Sequence, residues 1–275
     1  MGSTIRQAAH THRIILKGDP MTPGWEKQLV QSFDHRAALI GSCRLYSQPG
    51  LAERGFAIHQ TTVPKMASKS GTMMVSNPTG YAISAREQLQ ALSFIHGGGR
   101  PFPGDGLFGH VCKHVNSPSL DLITAPFDMY VLEVCSFSNV FVRDERCPWI
   151  IPYRVYGRLP YEWERVIESK EETFAALDEL MGSCAAPALI VPPYVLDEFT
   201  TDVARKRQGK LDLVLEWYET RRQRYPVEVV DLDGFIREYG ECAAMRSTLH
   251  FEKAFQADWF CKLFELVQAR LGEKT

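Results

Sequence analysis

Short apolar runs that stop at glycine or proline, separated by stretches of helical periodicity, constrain this chain more than any other feature. Arg36-Ala37-Ala38-Leu39-Ile40 breaks off at Gly41, and similar runs occupy 56–63, 127–134, 186–191 and 227–232. Between them lie apolar patterns of helical spacing at 84–96, 161–181, 197–223 and 251–271. The first opens on Ser84 with Glu87 three residues later, a capping box, and closes on Gly97-Gly98-Gly99. Strands that are apolar on both faces belong to a parallel sheet covered by helices on each side. The expected fold is therefore α/β: a three-layer α/β/α sandwich around a mostly parallel, five-stranded sheet. Residues 1–35 read as an irregular N-terminal arm. Residues 36–275 read as one domain, with an irregular loop and helix insertion at about 64–126.

Composition narrows the function classes. The chain has 275 residues, 45% hydrophobic and 23% charged, with a net charge of −2, which is ordinary globular composition. The densest basic cluster, Arg205-Lys206-Arg207 with Lys210 and then Arg221 to Arg224, is interspersed with acids and reads as a solvated helix face. No nucleic-acid partner is expected. The seven cysteines form no C-x-x-C pair, so reduced thiols in a cytoplasmic protein fit best. Met1 to Pro20 has no apolar h-region, and no stretch approaches membrane-spanning length.

In open parallel sheets, ligands bind beyond the carboxyl ends of the strands. That makes Gly41-Ser42-Cys43-Arg44 the first candidate site. A strand that turns at glycine can hold Cys43 exposed as a nucleophile, with the following backbone N–H groups facing an oxyanion. A structural cysteine in a tight turn is the plainer alternative, and a phosphate loop is disfavoured because the segment has one glycine. His250, just before the last helix, could take the thiol proton; a surface histidine is its alternative. Asn139, through its side-chain amide, and Gly80, through its N–H, could complete an oxyanion hole, or be ordinary turn residues. Glu133 needs a partner in a buried strand: Arg44, another basic group, or His250. His110 and His114, with Cys112 between them and His96 nearby, lack a third ligand or an H-E-x-x-H pattern, so no metal is expected. Gly182-Ser183-Cys184 precedes a strand and reads as a helix end.

The I-G-S-C-R after the first strand, the V-L-E-V-C-S-F-S-N of the central strand and the late L-H-F resemble the SGNH/GDSL hydrolase superfamily. More closely they resemble its cysteine-bearing relatives, the GSCFA-type domains and capsule-polysaccharide acetyltransferases. The resemblance implies a flavodoxin-like, SGNH-type sheet. It sets Gly41 at the family's Gly, Ser42 at its Asp, Cys43 at the nucleophile, Asn139 at the oxyanion Asn and His250 at the catalytic His. Gly80 or Asn77 would match the second oxyanion donor. The family's late block is Asp-x-x-His, and here position 247 is Ser, so the orienting acid is missing from its usual place; either Cys43 and His250 act as a dyad, or Glu252, Glu133 or another acid substitutes, or hydrolysis has been lost. The implied activity is acyl transfer or ester hydrolysis on a carbohydrate or small metabolite. No cofactor would be tightly bound, and a coenzyme A thioester is the natural acyl donor, its phosphates met by Arg44, Arg100 or Lys113. A non-catalytic binding module and a nucleotide- or S-adenosylmethionine-binding enzyme are the rival expectations.

Overall fold

The computed structural model describes residues 31–45, 50–60, 65–78, 82–97, 124–142, 150–151, 163–197, 201–247 and 250–272. Strand β1 (His35–Ile40) lies at the centre of a seven-stranded sheet. It is flanked by two parallel partners, β4 (Thr72–Ser76) and β5 (Met129–Glu133), in the register Leu39 opposite both Ser76 and Val131. β9 (Ala188–Val191) and β10 (Val227–Val229) extend the parallel part beyond β5. On the other side, β2 (Ala57–Gln60) and β3 (Lys65–Lys69) add antiparallel strands outside β4, giving the order β10-β9-β5-β1-β4-β3-β2.

Two expectations are corrected here. The sheet has seven strands rather than five, and β4, which lies inside the segment expected to be an insertion, is a parallel neighbour of β1, while Ala57–Gln60 of the 56–63 run is an edge strand. The expected insertion at 64–126 begins as part of the sheet itself; its stretch 98–123 lies outside the described residues, as does most of the expected N-terminal arm. Ser70 and Gly71 join β3 to β4 with φ of +50° and +75°, the two positive values that a two-residue hairpin turn of matching twist demands.

Helices cover both faces. Alternate side chains of β1 point opposite ways, so Ala37 and Leu39 join one core cluster and Ala38 and Ile40 the other. The first cluster is closed by α6 (Lys253–Gly272), which buries Phe255, Trp259, Phe260, Leu263, Phe264, Val267 and Leu271. Each such side chain contributes about 1.5–3 kcal/mol relative to an exposed one. The second cluster takes α1 (Ala85–His96), α2 (Lys170–Ser183) and two residues, Val214 and Trp217, of α3 (Thr201–Arg221). The Ser84 and Glu87 capping box is present as expected. The helix expected at 161–181 begins at Lys170. Trp163–Ile167 before it is β8, paired antiparallel with β6 (Ser138–Val142), which also pairs with β7 (Ile150–Ile151) in a second small sheet. The run at 227–232 ends as a strand at Val229. Asp231 then caps α4 (Leu232–Tyr239) by accepting the Gly234 N–H. α5 (Glu241–Ala244) leads into a short ribbon of β11 (Met245–Ser247) and β12 (His250–Phe251). No helix among the described residues is long and apolar enough to cross a membrane.

Candidate functional site

The turn after β1 is fixed by side chains from the ends of both neighbouring strands. Asn77, immediately after β4, accepts the Gly41 N–H on Oδ1 at 2.7 Å and donates Nδ2 to the Ser42 carbonyl at 3.0 Å. It is fully buried and left-handed, with φ +48°, a conformation asparagine tolerates better than most residues. Glu133, the last residue of β5, accepts the Ser42 N–H at 2.6 Å. A β-carbon on residue 41 would lie 2.5 Å from the Glu133 β-carbon, so only glycine lets the two strand ends approach this closely.

Glu133 also pairs with Arg44, and the two side chains are 1% and 12% exposed. Arg44 further donates to the Cys135 sulfur at 3.2 Å and to Ser42 Oγ at 3.1 Å, and lies 5.1 Å from the centre of the Tyr194 ring. Burial acts to lower the Arg44 pKa, but the charges of Glu133, Cys135 and Tyr194 outweigh it and hold the guanidinium above its ordinary value. The Cys135 thiol is pushed up to about 11, first by burial and then by Glu133, against the opposing pull of Arg44 and Lys210. It is a protonated acceptor rather than a nucleophile at neutral pH.

These contacts revise several expected roles. Glu133 is the partner of Arg44 and not of a histidine. Arg44 is expected to meet substrate, yet its charge is already matched within the turn. Its backbone N–H, an expected oxyanion donor, goes to Ser42 Oγ at 3.2 Å, so Ser42 serves as a brace of the turn. Asn139, expected to offer its amide to an oxyanion, is 1% exposed. Its Nδ2 donates to Glu168 at 2.8 Å and its Oδ1 accepts the Ser84 hydroxyl at 2.5 Å. It thereby ties β6 to the cap of α1. Cys43 begins a short 3-10 turn, Cys43–Leu45, but its side chain lies outside the described residues. So do Gly80, Arg100, His110, Cys112, Lys113 and His114.

His250 is exposed, and its Nδ1 is 3.1 Å from the Ser247 hydroxyl. Ser247 thus stands, at the position where the orienting acid was expected, within hydrogen-bond reach of the ring. The next residue, Phe251, packs on Tyr194 with ring centres 5.6 Å apart. Since Tyr194 in turn contacts Arg44, β12 and the Gly41–Arg44 turn meet at the same end of the sheet. His96 is elsewhere, bonded through Nε2 to the Tyr130 hydroxyl at 2.9 Å. Cys184, in the repeated Gly-Ser-Cys, follows the end of α2, and burial pushes its thiol up to about 12. No cluster of metal-binding side chains occurs among the described residues.

Sequence reasoning gave Asn77 only as a loose oxyanion candidate and missed it as the clamp of the turn. Tyr194 was among the candidates as part of the segment Pro192 to Tyr194 after a strand, without its role as the ring joining Arg44 to Phe251. Their positions just beyond the ends of β4 and β9 were the available signal. The class this defines is an α/β protein of largely parallel sheet, with a braced polar turn and an exposed histidine at the carboxyl ends of its strands. Comparison with protein-family models, curated proteins and solved structures gives no match to this chain.

Proposed function

We propose that the chain is an acyl-transfer enzyme, an acyltransferase or esterase, with Cys43 as nucleophile and His250 as its base. The parallel part of the sheet, numbered along the chain, has the order 2-1-3-4-5, the order of flavodoxin-like sheets, in which ligands bind between strands 1 and 3. Here those strands are β1 and β5, and the turn bearing Cys43 follows β1. The observation that carries the reading is the Ser247 contact to His250 Nδ1. With Nδ1–H donated to the hydroxyl, Nε2 carries the lone pair that a general base requires. A neutral hydroxyl stabilises an imidazolium less than a carboxylate does. That suits a cysteine nucleophile, whose thiol ionises near pH 8.5 and needs less help than an alcohol.

In the first half-reaction, Nε2 takes the Cys43 proton and the sulfur attacks the acyl carbonyl. The tetrahedral oxyanion collapses, and the leaving thiolate or alkoxide receives the proton from His250. In the second, water or an acceptor hydroxyl gives its proton to His250 and attacks the thioester, and Cys43 regains the proton as it leaves. The Cys43 N–H is the backbone donor this scheme needs for the oxyanion.

Peptide mapping after brief iodoacetamide treatment at neutral pH tests the reading. Cys43 is expected to label ahead of exposed Cys242 and of Cys135 and Cys184, and more slowly in His250→Ala. Incubation with acyl-coenzyme A or an activated ester should add one acyl mass to the Cys43 peptide. Labelling of Cys43 no faster than Cys242 would end the proposal.

A further inference from the structure

Tyr194, just beyond the end of β9, stands between two parts of the site and is fully buried. Phe251 packs on its ring with centres 5.6 Å apart and planes inclined by 44°. The Arg44 guanidinium lies 5.1 Å from the same ring centre. Phe251 follows His250 directly in β12, and Arg44 follows Cys43 directly in the turn after β1. His250 is exposed, so packing does not hold its own side chain; its neighbour Phe251, 5% exposed, is what the core holds.

The ring is itself fixed from several elements. Arg207 of α3 donates to the Tyr194 carbonyl at 3.4 Å and lies 4.5 Å from the ring centre. The residues after Tyr194 are tied to the stretch of chain that leads to His250. Asp233 of α4 accepts the Val195 N–H at 3.1 Å, and Glu241 of α5 accepts the Asp197 N–H at 3.2 Å. The Glu252 N–H donates to the Ala244 carbonyl at 2.8 Å, which closes the β11 and β12 ribbon onto α5. The contacts form a circuit. α4 and α5 anchor residues 195–197, these place Tyr194, Tyr194 places Phe251, and Phe251 returns through the ribbon to α5. Arg44 meets that circuit at the ring. Proton transfer needs its two atoms about 2.6–3.2 Å apart, and a misplacement of about 1 Å costs on the order of 100-fold in rate. A rigid ring wedged between the two segments fixes a separation that a flexible aliphatic side chain would not.

We propose that Tyr194 is a positioning residue, its ring the spacer that sets His250 against the turn bearing Cys43. The inference rests on the acyl-transfer reading, because Tyr194 acts only through the thiol and the imidazole.

Rates of Cys43 alkylation by iodoacetamide in the full chain, followed by peptide mapping at several pH values, test it. Tyr194→Leu should slow Cys43 labelling at pH 7 at least about tenfold. The deficit should shrink towards pH 10, where the thiol ionises without a base. Tyr194→Phe, which keeps the ring, should restore the rate to within about twofold of the parent. Tyr194→Leu combined with His250→Ala should be no slower than His250→Ala alone, since a residue acting through the imidazole has nothing to add once it is gone. Should Tyr194→Leu fail to fold, Phe251→Leu opens the same contact from its other side and carries the same expectations. The proposal is overturned by a Tyr194→Leu rate equal to the parent's, by a slowing that is the same at pH 7 and pH 10, by Tyr194→Phe as slow as Tyr194→Leu, or by additive losses in the double variant. If His250→Ala labels as fast as the parent, the acyl-transfer reading falls and takes this inference with it. If His250→Ala is slow and Tyr194→Leu is not, this inference falls alone.

Discussion

Changing Glu133 to Gln deletes one charge from the point where β1 and β5 meet. The carboxylate is 1% exposed and its partner Arg44 12% exposed. Glutamine can still accept the Ser42 N–H through its remaining oxygen, but it presents no charge to the guanidinium. Leaving a buried cation without its counter-ion costs about 3–5 kcal/mol, and exchanging a charged acceptor for a neutral one at Ser42 adds about 1 kcal/mol. The expected loss is about 4–6 kcal/mol, a large share of the ~5–15 kcal/mol that separates a folded domain from its unfolded chain. Equilibrium urea unfolding reads it as a lower midpoint at unchanged m-value. Replacing both partners, Glu133→Leu with Arg44→Met, removes the charges together and should recover most of the loss. A Glu133→Gln protein within about 1 kcal/mol of the parent would refute the reasoning, because it would mean that water already screens the pair. A double variant no more stable than the single one would refute it as well.

Two further changes probe the same turn. Asn77→Ala removes both contacts to Gly41 and Ser42 and leaves a residue with a β-carbon at φ +48°. A loss of about 2–4 kcal/mol in urea unfolding is expected, with Asn77→Gly less damaging because glycine accepts that conformation; a glycine variant as stable as the parent would show that the amide clamp is dispensable. The buried Cys135 thiol, pushed up to about 11 from an ordinary 9, keeps its proton in the folded state while the unfolded chain loses it. Its contribution is therefore complete below pH 9 and is lost as pH rises from 9 towards 11. Between pH 8 and 10 the urea midpoint should fall more steeply for the parent than for Cys135→Ser; equal slopes would contradict the shift.

Parts of this fold were plain in the sequence and parts were not. β1, β5 and β9 showed themselves because Ala37 to Ile40, Met129 to Leu132 and Ala188 to Val191 are unbroken apolar runs buried on both faces. β4 escaped because Thr72-Met73-Met74-Val75-Ser76 is built around methionines, which favour no strand, and because it follows β3 across a two-residue turn. Trp163–Ile167 was absorbed into a helix because five residues with two charges fit either period beside the Glu-rich α2. The site divides by distance along the chain. Ser247 and His250 are three residues apart, and their relation could be anticipated from spacing. Asn139 looked like an oxyanion donor until its partners were known, and Ser84 is 55 residues away from it. The side-chain braces of the Gly41 turn lie 36 and 91 residues downstream of the groups they hold, so no local pattern could announce them.

Those separations bear on when the turn takes shape. A growing chain can close the β2, β3 and β4 hairpins early from neighbouring sequence. Arg44, however, has no carboxylate to meet, and Ser42 no acceptor, until residue 133 has emerged and β5 has docked against β1. Loop closure over such spans is slow compared with local pairing. A polypeptide cut short before β5 would therefore hold every residue of the Gly41–Arg44 turn and lack its geometry, and the braced conformation should appear together with cooperative unfolding of the whole sheet rather than in any smaller fragment.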